Sequence, residues 1–177
     1  MTESANGVPA AKANTPDDEL ETVTPGRTIT EADLVSFAAL TGDWHPAHTD
    51  AEWAARGRFG ARIAHGMLVL SYAVGLFPFD PERVLALRGL DSISFKRPVH
   101  IGDTIRVASR VEQRRELDAE HELVTLAWRI LNQEDRLVAR IKVQALWRSR
   151  ADVSEPSAPP SIPPDSLGEL YGERLSL

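Results

Sequence analysis

Residues 65–77 read HGMLVLSYAVGLF, and Pro78 follows them directly. The run is apolar on nearly every side of a helix, and the proline ends it. A helix of this kind is typical of one that the rest of the fold encloses. The stretch therefore predicts a central helix, and the neighbouring segments are interpreted as its cover.

After this helix the sequence changes to β-strand patterns. The segments 84–99, 104–115, 121–132 and 136–148 are rich in Val, Ile, Leu and Trp. Apolar and polar residues alternate in them, most clearly in the second and the last, as in strands with one buried face. Short connectors, such as residues 101–103, favour an antiparallel meander. We therefore expect an α+β fold in which an antiparallel sheet curls around the helix.

Two further helix starts precede the central helix. Thr30 and two acidic residues in the turn after it predict a helix that ends at Gly42. Thr49 and Glu52 have the spacing of a capping box, which predicts a short second helix ending at Gly57.

Composition bounds both the class of protein and its organisation. The 177 residues carry a net charge of −6 and no cysteine, which excludes disulfides and thiolate chemistry and argues mildly against nucleic acid as a partner. No apolar run is long enough to span a membrane, and no signal peptide is visible, so a cytoplasmic protein is expected. Residues 1–21 resemble a disordered leader and residues 151–177 a Pro/Ser-rich tail, which leaves 22–150 as the working domain.

Residues 37–50 read FAALTGDWHPAHTD. This segment resembles the motif of the MaoC-like dehydratases, which include the (R)-specific enoyl-CoA hydratases, and His45 stands where the family pattern has Asn. The resemblance continues through FGARIAHGM at 59–67 and FKRPVHIGDT at 95–104, in the family's order. It implies a single hotdog fold and a homodimer or dimer of dimers. It also implies reversible hydration of 2-enoyl or dehydration of (3R)-3-hydroxyacyl thioesters of CoA or acyl carrier protein, in fatty acid or polyketide metabolism, without a cofactor.

The chemistry of such a hydration needs a base for water, a group that moves the proton at the α-carbon, and donors for the enolate oxygen. A turn between Gly42 and Pro46 can direct Asp43 and His48 into one cleft. Following the family, we assign His48 as the base and Asp43 as its partner. Gly66, near the start of the central helix, is assigned as the oxyanion donor.

Three further residues are assigned to substrate binding: His45, His65 and Ser71. For the last two, capping or helix packing is the alternative. A metal interpretation also remains open, in which His45 and His48, flanked by Asp43 and Asp50, bind zinc or iron, although we expect none.

Two other functions compete with the hydratase. A hotdog thioesterase shares the fold, and a non-catalytic partner subunit of a paired hydratase shares the family, although the presence of both Asp43 and His48 counts against the latter. Many arginines fall in the strands, where a solvated sheet face is the simplest explanation and contact with CoA or carrier-arm phosphates is the alternative. They are Arg97, Arg106, Arg110, Arg114, Arg115, Arg129, Arg136, Arg140 and Arg148.

Overall fold

The computed structural model describes residues 21–149. The predicted leader and tail lie outside them, except for Glu21, which accepts a hydrogen bond from the Arg129 guanidinium at 2.6 Å. The helices are α1 (Glu31–Thr41), α2 (Pro46–Thr49), α3 (Ala51–Arg56) and α4 (Gly66–Leu76). The strands are β1 (Thr22–Val23), β2 (Arg27–Thr28), β3 (Val84–Phe95), β4 (Thr104–Glu116), β5 (His121–Leu131) and β6 (Leu137–Arg148).

The antiparallel sheet has the strand order β1-β4-β5-β6-β3, with β2 pairing beside β1 on β4. The predicted meander holds for β4, β5 and β6 but is wrong for β3, which pairs with β6. Residues 96–103 therefore cross the end of the sheet. They are held there by N–H donation from Lys96 and Arg97 to the carbonyl of Val138 and by a bridge between Ile63 and His100.

Helix α4 lies against this sheet, as the hotdog prediction required. Its buried residues Leu68, Val69, Leu70 and Ala73 join one apolar cluster with residues of β4, β5 and β6. Each large side chain buried in this way contributes roughly 1.5–3 kcal/mol of transfer free energy. One stripe of the helix stays exposed, at Met67, Ser71 and Gly75. The expected enclosure on all sides is therefore incomplete in a single chain.

Helix α1 begins and ends where the sequence predicts. Thr30 and Asp33 form a reciprocal capping box, and Gly42 ends the helix at φ 77°, a left-handed conformation that glycine adopts without strain. Asp33 also accepts hydrogen bonds from Tyr72 and Arg27. Burial works to raise the pKa of Asp33, but the hydrogen bonds from Tyr72, Thr30 and Arg27 outweigh it and hold that pKa at about 2.

The second predicted capping box is wrong in detail. The N-cap of α3 is Asp50, whose carboxylate accepts from the N–H of Trp53, and Gly57 ends the helix as expected. Thr49 is instead the last residue of α2, and its hydroxyl donates to the carbonyls of Trp44 and His45. The local reason is that an extra short helix, α2, starts at Pro46 and brings Thr49 inside a helical turn.

The strand arginines do not all lie on a solvated face. Arg114 is buried and pairs with Glu122 at 2.8 Å, and Arg83 reaches the same carboxylate at 3.4 Å. Arg106, Arg129 and Arg136 form more exposed ion pairs. Within residues 21–149, no helix is both long and apolar enough to cross a bilayer.

Candidate active site

The loop between α1 and α2 carries the predicted catalytic residues. It begins after the left-handed Gly42, and the carboxylate of Asp43 accepts the N–H of His45 at 3.3 Å. The Nδ1 atom of His45 then accepts the N–H of Ala47 at 3.1 Å and caps α2. This turn leaves Asp43 exposed at its tip and places His48 one turn into α2.

A backbone contact fixes the orientation of the His48 ring. Its Nδ1 lies 2.7 Å from the carbonyl oxygen of Ile63. A carbonyl only accepts, so Nδ1 carries the hydrogen and Nε2 keeps a free lone pair. Burial is the main cause that lowers the pKa of His48 below its ordinary value, and the nearby imidazoles of His65 and His45 act in the same direction. The ring is therefore poised as a neutral base.

Asp43 and His48 converge, and His65 joins them. A carboxylate oxygen of Asp43 and one ring nitrogen from each histidine lie within 4.8 Å of one another. The ring of His65 stacks on that of His48, with centroids 3.8 Å apart. Its Nε2 donates to the backbone carbonyl of Asp43 at 2.9 Å. Only 2% of the His65 surface is exposed, which favours the packing role over the predicted contact with substrate.

The start of α4 faces this group. His65 is its N-cap residue but makes no capping hydrogen bond through its side chain, and Gly66 is the first helical residue. The first N–H groups of a helix have no partner within the helix, so they favour an anion. A Cβ on Gly66 would lie 2.7 Å from Cζ of Phe95. Glycine therefore allows the Phe95 ring to lie directly against the helix start.

The two remaining predicted substrate contacts lie at the edges of the site. His45 is exposed, and its ring uses Nδ1 as an acceptor for the N–H of Ala47. Ser71 is exposed on α4, where its hydroxyl donates to the carbonyl of Met67 at 2.8 Å. The structure leaves both side chains accessible to a ligand.

The metal set suggested by the sequence is not assembled. Asp50 caps α3 through its carboxylate and His45 caps α2 through its ring, so both are used locally. The donors that do cluster belong to Asp43, His48 and His65, and the Nε2 atom of His65 is already bonded to a carbonyl.

Two parts of the site were missed by the sequence analysis. Ile63 orients the base through its carbonyl oxygen, which no side-chain motif reveals. Phe95 packs over Gly66 from the last residue of β3. It stands at the start of the FKRPVHIGDT segment, so its position in the motif was visible although its contact was not.

Comparisons with known proteins identify the family. Residues 11–129 match the family model described as a MaoC like domain. The protein MaoC of Klebsiella aerogenes is 47% identical over 93 residues, which are 52% of this chain and 27% of that protein. The (R)-specific enoyl-CoA hydratase of Aeromonas caviae is 35% identical over 102 residues, covering 58% of this chain and 74% of that enzyme.

A solved structure, that of a monoamine oxidase regulatory protein from Archaeoglobus, superposes with a TM-score of 0.70 at 38% identity. The match covers 73% of this chain and 89% of that one. The chain spans little more than a quarter of the Klebsiella protein and about half of several other curated relatives. The family model nevertheless covers well over half of the chain, with the loop that carries Asp43 and His48 and the start of α4 inside it. The chain therefore belongs to the MaoC-like domain family and has the hotdog fold of that family.

Proposed function

We propose that this chain is a hydro-lyase that adds water to 2-enoyl thioesters and removes it from (3R)-3-hydroxyacyl thioesters. The observation that carries the proposal is the orientation of His48. Its Nδ1 is engaged by the carbonyl of Ile63, which leaves the lone pair of Nε2 for a water, and one nitrogen of the ring lies within 4.8 Å of an oxygen of the Asp43 carboxylate. A neutral imidazole and a carboxylate that contact one water are the groups that this reaction needs.

In the hydration direction, His48 takes a proton from water as the oxygen bonds to C3 of the enoyl group. The electrons of the double bond move toward the thioester carbonyl, and the negative charge develops on its oxygen. The N–H of Gly66 donates to that oxygen from the uncapped start of α4. The carboxylate of Asp43 contacts the same water and relays to C2 the proton that His48 has taken, so that both side chains return to their starting states and one water is added in total.

The thioester substrate is inferred from the relatives and the chemistry together. The Aeromonas relative that matches over 74% of its length is named an enoyl-CoA hydratase. A thioester carbonyl accepts charge readily when donors hold its oxygen, and the N–H of Gly66 is the donor assigned to it. The acyl group is carried on CoA or on an acyl carrier protein. The cytoplasmic location inferred from the sequence stays a prediction.

The activity is tested by giving purified protein crotonyl-CoA and following the loss of the enone absorbance, with a thiol-release assay run in parallel. The proposal expects loss of the enone without release of free CoA. Release of CoA at the same rate would identify a thioesterase. No reaction in either assay, with crotonyl-CoA or a crotonyl carrier protein, would favour a non-catalytic partner subunit.

The proposed mechanism uses no metal. Overnight incubation with EDTA or a stronger chelator is expected to leave the hydration rate and the melting temperature unchanged. Activity that disappears on chelation and returns with zinc or iron would make Asp43 and His48 ligands and would overturn the acid–base assignment.

The protein is further proposed to act as a homodimer or a dimer of dimers. β3 forms one edge of the sheet over 12 residues, and an open edge of that length favours pairing with another chain. Apolar side chains near this edge and on the open stripe of α4 are exposed, including Leu87 at 51%, Phe95 at 50% and Met67 at 55%. A two-fold interface would cover them beside Gly66.

Sedimentation at micromolar concentration tests the assembly. A species of twice 19.5 kDa or more is expected, and Leu87→Glu should shift it toward the monomer. An active species with the mass of a single chain would show that the site needs no second copy.

A further inference from the structure

One buried titratable side chain beside the site has no part in the proposed reaction. The ring of His65 is 2% exposed, and its Nδ1 is buried with no hydrogen-bond partner within residues 21–149. A buried polar atom without a partner has a cost of about 1–3 kcal/mol, so a structural residue without polar atoms would be expected at this position. The presence of an imidazole there therefore calls for a role.

The contacts of His65 converge on the three groups assigned to the reaction. Its Nε2 donates to the carbonyl of Asp43 at 2.9 Å, and its ring stacks on His48 with centroids 3.8 Å apart and planes inclined by 28°. It directly precedes Gly66 as the N-cap residue of α4. The ring of Phe37, in α1, packs against it with centroids 5.1 Å apart.

We infer that His65 is the positioning residue of this site. Its buried ring holds the Asp43 loop and the ring of His48 at fixed distances from the start of α4. The inference rests on the proposed function of Asp43 and His48. His65 does not touch the substrate in this arrangement. It fixes the distance between base and carboxylate, and a misplacement of about 1 Å at such a site costs on the order of 10²-fold in rate.

The contact between His65 and His48 also affects the pKa of His48. The groups that face His48 are Asp43, which favours its protonated form, and His45 and His65, which oppose it. Loss of the His65 imidazole removes one of the opposing groups, so the pKa of His48 should rise. A residue that only fills space would not produce this change while the fold is intact.

Two variants separate the contacts of His65. His65→Phe keeps a ring beneath His48 but cannot donate to the carbonyl of Asp43. His65→Gln offers an amide N–H to that carbonyl but loses the stacked ring. His121→Gln, at the start of β5 where the ring contacts Asp118, is the matched control on another part of the sheet.

With crotonyl-CoA, His65→Phe is expected to lower kcat on the order of 10²-fold with little change in KM. His65→Gln should retain more of kcat, and in both variants the acidic limb of kcat/KM should move to higher pH. His121→Gln should match the wild type. A rise in KM at unchanged kcat would make His65 a substrate contact and overturn the inference, as would an unmoved acidic limb.

A readout without turnover keeps this inference distinct from the proposed activity. In NMR spectra of protein with ¹⁵N-labelled histidine, wild-type His65 should carry its hydrogen on Nε2, and His48 should titrate at higher pH in the folded His65 variants. If wild-type protein does not hydrate crotonyl-CoA but these signals are found, the proposed activity is rejected and the positioning role of His65 is still supported. If the hydrogen of wild-type His65 lies on Nδ1, the role fails even when neither variant folds.

Discussion

Within residues 21–149 the two longest helices, α1 and α4, are each 11 residues long, and they begin in opposite ways. At the start of α1, Thr30 and Asp33 satisfy each other's backbone N–H groups, and Arg27 and Tyr72 bind the same carboxylate. At the start of α4, His65 supplies no side-chain cap, and Gly66 has no side chain. One helix start is closed by four side chains. The other has no side-chain cap, and its N-cap residue His65 contacts Asp43 and His48.

The closed start of α1 contributes to stability, whereas the uncapped start of α4 leaves backbone N–H groups available for function. A filled N-cap stabilises a helix by about 1 kcal/mol, so an open one is a local cost. At α4 the open N–H groups can instead bind an oxygen that becomes negative during the reaction. We therefore expect changes at α4 and its facing loop to affect rate, and changes at α1 to affect stability.

The largest effect should come from the loop that faces α4. Asp43→Asn and His48→Gln are each expected to lower the hydration rate by on the order of 10² or more, because each removes a group that moves a proton. Circular dichroism and melting temperature serve as the controls for folding. Activity within a few-fold of wild type in either folded variant would remove the pair from the mechanism.

The open helix start itself can be tested by removing one N–H. Proline is favoured at the first position of a helix, and the extended backbone of His65 suits a residue that precedes proline. Gly66→Pro should therefore lower kcat on the order of 10²–10³-fold through the lost donor.

Gly66→Ala is the matched control for Gly66→Pro, since it adds a Cβ against Phe95 but keeps the N–H. Equal losses in the two variants would mean that crowding by Phe95, and not the missing donor, explains the effect.

The pH dependence of kcat/KM should reveal the pKa of the base, His48. Because the pKa of His48 is lowered, chiefly by burial, the ring stays deprotonated to lower pH than an ordinary histidine. The acidic limb of kcat/KM is therefore expected below the ordinary value of about 6.5. A limb above that value, measured at constant ionic strength, would contradict the buried base described for this site.

A smaller effect, on stability alone, is expected at the closed start of α1. Thr30→Ala removes one side of the capping box and should lower the free energy of unfolding by about 1 kcal/mol. Urea titration measures this change, while the hydration rate per folded molecule should stay at the wild-type level. A large loss of rate would mean that α1 also shapes the site.

A further effect on stability should be its dependence on acid. With a pKa of about 2 in the folded chain and about 3.9 when unfolded, Asp33 contributes stability that is fully present above the unfolded value and lost as pH falls through the folded one. Unfolding free energies measured between about pH 5 and pH 2 should fall less steeply in Asp33→Asn than in wild type. If the free energy of unfolding fell equally steeply with pH in both proteins, a group other than Asp33 would cause the acid sensitivity.

Much of the fold, including the difference between the starts of α1 and α4, could be predicted from the sequence. The capping residues of α1, the apolar run of α4 and the alternation in the segments of β4 and β6 are local signals, and each predicted element was found at its predicted place. The place of β3 beside β6 was not predicted, because short connectors do not show when a chain crosses the end of a sheet. In the site, the motif located Asp43 and His48. The carbonyl of Ile63 and the stacking of His65 depend on tertiary contacts that no local pattern encodes.

The most direct measurement of the central claim follows the oxygen of water. Wild-type protein is incubated with crotonyl-CoA in H₂¹⁸O, and the products are analysed by mass spectrometry, with Asp43→Asn as the inactive control. Hydration through Asp43 and His48 predicts one ¹⁸O in the hydroxyl at C3 of an intact thioester, formed by wild type and nearly absent in the variant. Label in the free carboxylate of crotonate, or label at C3 formed equally by the variant, would contradict the mechanism described for this site.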